Sequence, residues 1–74
     1  MNETTPQCLG NTVRGLFKTV GSHRPTVIHF RHIVSICYYP PEKTMEIRTQ
    51  SGFFYIICEE EVFNTVSAAY SNYS

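Results

Sequence analysis

The sequence lacks most of the features that carry catalytic or metal chemistry. It has no tryptophan, only four glycines and only three cysteines in 74 residues. The glycines form no phosphate-binding motif, and the spacing of Cys8, Cys37 and Cys58 fits neither a zinc site nor a disulfide framework. We therefore expect three reduced thiols that act as small apolar side chains, and no bound cofactor.

An excess of charge of either sign is also missing. Six Lys and Arg residues balance six Asp and Glu residues, and the basic residues are scattered along the chain. Proteins that bind nucleic acids generally carry a clustered basic surface. The charge pattern therefore gives no reason to favour a nucleic acid as the partner.

Long apolar runs do not occur in the sequence. No stretch approaches the roughly 18 residues of a membrane-spanning helix, and the first six residues lack the basic and apolar regions of a secretory signal. These observations predict a cytoplasmic protein with no membrane contact. Residues 1–74 form one small domain in this interpretation, and a core of this size usually supplies only about 3–5 kcal/mol of net stability, so homo-oligomerisation is expected.

The residues that most often carry chemistry are poorly placed for it. On a regular strand, His29 and His32 would point to opposite faces, so they are not expected to share a metal ion. No cysteine or serine has the local signature of a catalytic triad. The acidic run at residues 59–61 is explained by the start of a helix, where carboxylates stabilise the positive end of the helix dipole. The sequence therefore predicts a protein that is not an enzyme and binds no metal.

Residues 25–58 have the pattern of a three-stranded antiparallel meander. Residues 26–39 are rich in the β-branched and aromatic residues that strands prefer, although the segment is long for one strand and His32 is a candidate bend. Pro40 and Pro41 end this segment, residues 45–50 alternate apolar and polar side chains, and Ser51-Gly52 predicts a tight turn into residues 53–58.

The ends of the chain are predicted to be helical, with unequal support. Residues 59–73 repeat apolar side chains every three or four positions, which is typical of an amphipathic helix. Residues 1–24 form an N-terminal segment in which Leu9, Val13, Leu16, Phe17 and Val20 also fit a helical stripe. Gly15 and several Thr and Val residues argue against that helix, so a strand over residues 16–20 is the alternative. The predicted fold class is α+β, with the C-terminal helix packed on one face of the meander.

Turn lengths predict the register of the meander and hence its two faces. Tyr39 is placed opposite Thr44, and Gln50 opposite Phe53. The face that the helix should cover is almost wholly apolar and consists of Val34, Ile36, Tyr38, Met45, Ile47, Thr49, Phe54, Ile56 and Cys58. The opposite face mixes exposed aromatic side chains with one charge pair.

This mixed face is the predicted binding surface. Its candidate interaction residues are Tyr39, Glu46, Arg48, Phe53, Tyr55 and Ile57. Aromatic residues and arginine are enriched at protein interfaces, so we expect a non-catalytic protein that binds, and thereby inhibits or regulates, a protein partner as a homo-oligomer. Phage and plasmid accessory proteins of this size often work in this way.

Two alternatives use the same face differently. A small ligand or nucleotide would bind in a pocket that forms only at a subunit interface, because one core of this size cannot enclose it. A single-stranded nucleic acid would stack its bases on the aromatic rings and place its phosphates near Arg31 and Arg48.

Overall fold

The computed structural model describes residues 5–19 and 21–73. These residues form one curled antiparallel sheet of six strands and a C-terminal helix. The elements are β1 (Gln7–Leu9), β2 (Thr12–Lys18), β3 (His23–His29), β4 (Ile33–Tyr39), β5 (Thr44–Thr49), β6 (Gly52–Ile57) and α1 (Glu60–Tyr73). The predicted α+β class is confirmed, and the predicted count of three strands is wrong.

The prediction of an N-terminal helix is also wrong, because this segment forms β1 and β2. The two strands pair from Leu9 opposite Thr12 onward, and the turn between them uses Gly10 at a φ of 63°. Val13 and Phe17 are both fully buried. A spacing of four residues puts two side chains on one face of a strand as well as of a helix, so the pattern alone did not distinguish the two. Val20, the last residue of the predicted stripe, lies outside the described residues.

Gly15 has a packing role in the middle of β2. A Cβ atom at this position would lie 2.9 Å from Cδ1 of Ile56 and 3.2 Å from Cα of Pro6. The missing side chain therefore allows β2 to approach the core side chain of β6 and the segment before β1. The same glycine that counted against a helix in the sequence is required by this close approach.

β2 is the strand around which the sheet curls. One of its edges pairs with β3 along its whole length. The opposite edge pairs first with β1 and then, at Lys18 opposite Tyr55, with β6. Because β1 and β6 follow one another along the same edge, the sheet bends between them, and the N-terminal strands join the β4–β6 meander.

β3 and β4 are separated by a turn of 3-10 helix at Phe30–His32. The predicted bend at His32 is therefore confirmed, and Phe30 in this turn is buried against the core. The turn also corrects the expectation that His29 and His32 point to opposite faces. Their ring centroids are 6.3 Å apart with an interplanar angle of 78°, because the intervening residues are not in extended conformation.

The two hairpins of the meander differ in how well they were predicted. Tyr39 pairs with Thr44 as expected. Phe53 pairs with Arg48 rather than with Gln50, and Thr49 pairs with Gly52. The Thr49 hydroxyl donates to the Gly52 carbonyl at 2.9 Å and accepts from the Ser51 N–H at 3.2 Å, which stabilises a turn at Gln50 and Ser51. The register of this hairpin differs from the prediction by two residues, so the side chains of β5 and β6 stay on their predicted faces.

The concave side of the sheet holds the core, and α1 covers it. The most deeply buried side chains are Val13, Phe17, Phe30, Met45, Ile47 and Val66. The hydroxyl of Tyr70 in α1 donates to the Ile33 carbonyl at 2.8 Å, and Tyr38 donates to the Cys58 carbonyl at 2.8 Å. Val34 was predicted in the core but is 56% exposed, because a β-bulge between Ile33 and Ser35 shifts the alternation.

Candidate interaction surface

The six candidate interaction residues lie together on the convex side of the meander. We name them the aromatic face: Tyr39, Glu46, Arg48, Phe53, Tyr55 and Ile57. In β5 and β6, Arg48 lies opposite Phe53 and Glu46 opposite Tyr55. Directly opposed residues in antiparallel strands share one side of the sheet. The period-two pattern of the sequence therefore assembles these side chains into one surface.

The apolar members of the aromatic face are exposed to solvent. The exposed fraction is 46% for Tyr39, 45% for Phe53, 37% for Tyr55 and 64% for Ile57. Isolated exposed apolar residues are common on protein surfaces. Four neighbouring ones around a charge pair are unusual in a chain of this size, and contiguous apolar patches generally mark binding sites.

The charged residues of the aromatic face are held by different contacts. The Tyr39 hydroxyl donates to Oε1 of Glu46 at 2.8 Å. This hydrogen bond raises the pKa of the Tyr39 hydroxyl, and the negative charge of Glu46 raises it further. The tyrosine therefore remains a hydrogen-bond donor, and it fixes the orientation of the Glu46 carboxylate.

Arg48 is held by an aromatic ring rather than by a carboxylate. Its Cζ lies 5.3 Å from the ring centroid of Phe53, and Phe53 lies parallel to Tyr55 with an interplanar angle of 9° and a centroid separation of 6.5 Å. Within residues 5–19 and 21–73, Arg48 forms no salt bridge. Its guanidinium can therefore donate paired hydrogen bonds to a carboxylate on a partner.

Residues from β2 and β3 extend the aromatic face beyond the sequence prediction. Lys18 lies opposite Tyr55 and also opposite His23, which continues the row that begins at Glu46. A depression of about 350 Å³ lies where β2 and β3 meet β5 and β6, and it is lined by Lys18, Thr19, His23, Thr44, Tyr55, Ile56 and Ile57. A second depression, of about 310 Å³, is lined by Tyr39, Glu42, Thr44, Glu46 and Tyr55. The sequence did not place Lys18 and His23 beside Tyr55, because the pairing of β2 with β6 joins residues far apart in the chain.

Arg31, the second arginine of the nucleic-acid alternative, is elsewhere. It lies in the turn Phe30–His32, and with Tyr70 and Tyr73 it lines a separate depression at the end of α1. Its backbone N–H donates to Nδ1 of His29 at 3.1 Å. The structure therefore does not bring Arg31 and Arg48 onto one surface.

The metal-ligating and thiol side chains of the described residues differ in position and burial. In the described part of the chain, no group of three or more His, Cys, Asp or Glu side chains is arranged to hold a metal ion. All three cysteines are free thiols, with Cys37 exposed, Cys8 half-buried and Cys58 buried. Burial raises the pKa of Cys8, and burial together with the charge of Glu59 raises the pKa of Cys58.

Comparison with known proteins adds no functional assignment. The chain matches no known protein family, no curated protein and no solved structure. No helix among the described residues is long and apolar enough to span a membrane. The function must therefore be inferred from the chemistry of the surface itself.

Proposed function

We propose that this protein is a non-catalytic interaction protein that binds a protein partner through the aromatic face and acts as a homo-oligomer. The observation that carries the proposal is the cluster of four exposed apolar side chains around Glu46 and Arg48. The centre of a protein interface typically combines aromatic anchors with arginine. By occupying the corresponding surface of its partner, the protein would inhibit or regulate that partner.

The polar groups of the aromatic face suit a folded protein surface. The Glu46 carboxylate is held in place by Tyr39, so less conformational entropy is lost when it accepts a hydrogen bond from a partner. The Arg48 guanidinium is held over Phe53, and its N–H groups can donate two parallel hydrogen bonds to a carboxylate. A partner with one acidic and one basic group next to an apolar area would match these features.

One observation supports a second candidate, a single-stranded nucleic acid. The parallel rings of Phe53 and Tyr55 beside Arg48 resemble a base-stacking surface, and Lys18 adds a positive charge next to Tyr55. The balanced net charge of the chain argues against it, because phosphate contacts supply most of the affinity for nucleic acids.

The test is a double substitution in the aromatic face, Arg48→Glu with Tyr55→Ala. Tagged wild-type and variant proteins are purified gently from the source cells and compared by native mass spectrometry. We expect the wild type to retain a protein partner that the double variant loses. Loss of an interface anchor costs at least about 2 kcal/mol, which is about a thirtyfold decrease in affinity, and calorimetry with the identified partner measures it.

A matched control is available on β2 and β3. Arg14 lies directly opposite Val27, so Arg14→Glu with Val27→Ala makes the same charge change and shortens an apolar side chain that is 59% exposed, at a pair that is not part of the aromatic face. This variant should bind the partner as the wild type does. An unchanged affinity of a folded Arg48→Glu, Tyr55→Ala variant would refute the proposal. Strongly salt-dependent binding of the wild type to a labelled oligonucleotide would favour the nucleic-acid candidate instead.

A further inference from the structure

Three of the described strands each have a free edge, that is, an edge that pairs with no other strand. β2, β5 and β6 each have strands on both sides, whereas β1, β3 and β4 each pair with one strand only. A free edge presents a row of backbone N–H and C=O groups, which is a template for pairing with a strand of another chain. Natural proteins protect such edges unless the edge has a use.

The free edges of β1 and β3 are protected. β1 is only three residues long. In β3, the Phe30 N–H donates to the Asn11 carbonyl at 2.8 Å, so the even-numbered residues bond to β2 and Pro25 faces outward. Proline has no N–H to donate, and its ring obstructs an approaching strand.

The hydrogen-bond pattern of β4 follows from one bond at the end of the meander. The Cys58 N–H donates to the Lys43 carbonyl at 2.9 Å, which continues the pairing between β5 and β6. Since bonding partners alternate along an antiparallel strand, the odd-numbered residues of β5 bond to β6. The backbone groups of its even-numbered residues bond to β4, so the backbone N–H and C=O groups of Glu46 pair with those of Cys37.

Ile36 and Tyr38 therefore direct their backbone N–H and C=O groups to the free edge of β4. No other described residue provides a partner for these groups. The Ile33 carbonyl, nearer the start of the strand, is different because it accepts the hydroxyl of Tyr70. β4 is seven residues long and contains neither a charged residue nor a proline, so it has none of the side chains that normally prevent pairing.

The free groups favour one register for pairing with an identical strand. With a two-fold axis at Cys37, Ile36 of one copy lies opposite Tyr38 of the other. The outward backbone N–H and C=O groups of these two residues then form hydrogen bonds with each other. Moving the register by two residues in one direction places Tyr38 opposite Val34, at the β-bulge. Moving it by two residues in the other direction places Ile36 opposite Pro40, which has no N–H.

We propose that two copies of this chain pair antiparallel along β4 about a two-fold axis at Cys37. The pairing joins the two sheets edge to edge and presents both aromatic faces on the same side. The absence of charge along β4 matters for identical strands, since like charges directly opposite each other would repel. This inference deepens the homo-oligomer part of the proposed function by assigning its interface, and it does not rest on partner binding, because the dimer would form whether or not the aromatic face binds a partner.

The first test follows backbone amides in the wild-type protein. Sedimentation should give the mass of a dimer, and amide hydrogen exchange should be at least about tenfold slower at Ile36 and Tyr38 than in a sample diluted to monomer. The Val27 amide faces outward on the other long free edge and should exchange rapidly in both samples. A monomer at every concentration, or a dimer in which Ile36 and Tyr38 exchange as fast as Val27, would overturn the proposal.

The second test exploits the position of Cys37 at the two-fold axis. This side chain is exposed on the convex side, so Cys37→Lys and Cys37→Glu leave the core intact, which circular dichroism verifies. Each variant alone should raise the dimer dissociation constant at least about tenfold, whereas an equimolar mixture should dimerise again because opposite charges then face each other.

Matched variants make each outcome of this second test decisive. Val27→Lys, which adds the same charge on the edge strand β3, should dimerise as the wild type does. Arg48→Glu with Tyr55→Ala should also remain dimeric, which separates a failure of this proposal from a failure of the proposed function. Dimers of unchanged affinity in the separate Cys37 variants, or a mixture that stays monomeric, would contradict the two-fold axis at Cys37.

Discussion

At the scale of single residues, small local features decide how closely the elements approach. Gly15 allows β2 to contact Ile56, and Thr49 fixes the turn between β5 and β6 with its hydroxyl. Tyr39 orients Glu46 on the surface. None of these roles follows from hydrophobicity. Each depends on a specific atom that is present or missing at one position.

Gly15→Ala is expected to destabilise the protein through a single contact. The new Cβ would lie 2.9 Å from Cδ1 of Ile56, and such overpacking typically costs about 1–3 kcal/mol of unfolding free energy. Ile56→Val removes this Cδ1 atom and should cost about 0.5–1.5 kcal/mol on its own. In urea denaturation, the double variant should lose clearly less than the sum of the two single losses. Additive losses would show that the two positions do not touch.

The three thiols are expected to differ in reactivity according to burial. The pKa of Cys8 and of Cys58 is raised, so both hold less of the reactive thiolate at neutral pH, and their burial slows access as well. Cys37 is exposed and should react with a maleimide at least about tenfold faster in native, dilute protein. The labelling rate of each cysteine is measured by digesting samples taken at successive times and analysing the peptides by mass spectrometry.

The reactivity prediction has a simple control. Native Cys37→Ser protein should take up label at least about tenfold more slowly than native wild type, and should be labelled quickly once it is unfolded. In denaturant without reductant, all three cysteines of the wild type should titrate as thiols, since they are free in the folded chain. Equal labelling of Cys8 and Cys37 in native protein would contradict the described burial.

At the scale of elements, β2 is the strand on which the rest of the sheet depends. It pairs with three other strands and contributes Val13 and Phe17 to the core. α1 closes the concave side through Val66 and through the hydrogen bond from Tyr70. The N-terminal segment is thus part of the core, although its sequence pattern supported the least definite prediction.

Phe17→Ala tests the contribution of β2. Phe17 is fully buried and packs edge-to-face on Phe54, with ring centroids 6.3 Å apart. Its truncation should cost about 3–5 kcal/mol of unfolding free energy, which is comparable to the whole stability of a core of this size. Thermal denaturation should therefore find this variant largely unfolded. Leu16→Ala, one residue away on the convex side, should cost much less, and equal losses would contradict the burial of Phe17.

At the scale of the whole molecule, the outer surfaces divide between two proposed roles. The aromatic face of the meander offers side chains to a partner, whereas the free edge of β4 offers backbone groups to a second copy. Pairing along β4 would place two aromatic faces side by side. A partner with two matching surfaces would then bind with higher avidity, because the second contact forms within one complex.

The sequence by itself determined the features that depend on local periodicity. Alternation with period two identified β5, the Ser51-Gly52 turn signal identified β6, and a three- to four-residue period identified α1. A register error of two residues left the faces unchanged because side chains alternate with that same period. The six residues of the aromatic face therefore follow from the local pattern and the turn lengths, whereas Lys18 and His23 beside them do not.

Only the tertiary structure decided which strands pair and where the alternation breaks. Val13 and Phe17 fit a helix or a strand equally well, and pairing of β2 with its neighbour β3 and with the distant β6 selected the strand. The bulge near Val34 interrupts the alternation where the sequence predicted none, and only the structure shows that the predicted bend brings His29 close to His32. Pairing between distant strands is not recorded in any local pattern, so only the folded chain shows where β4 begins and which of its backbone groups face the free edge.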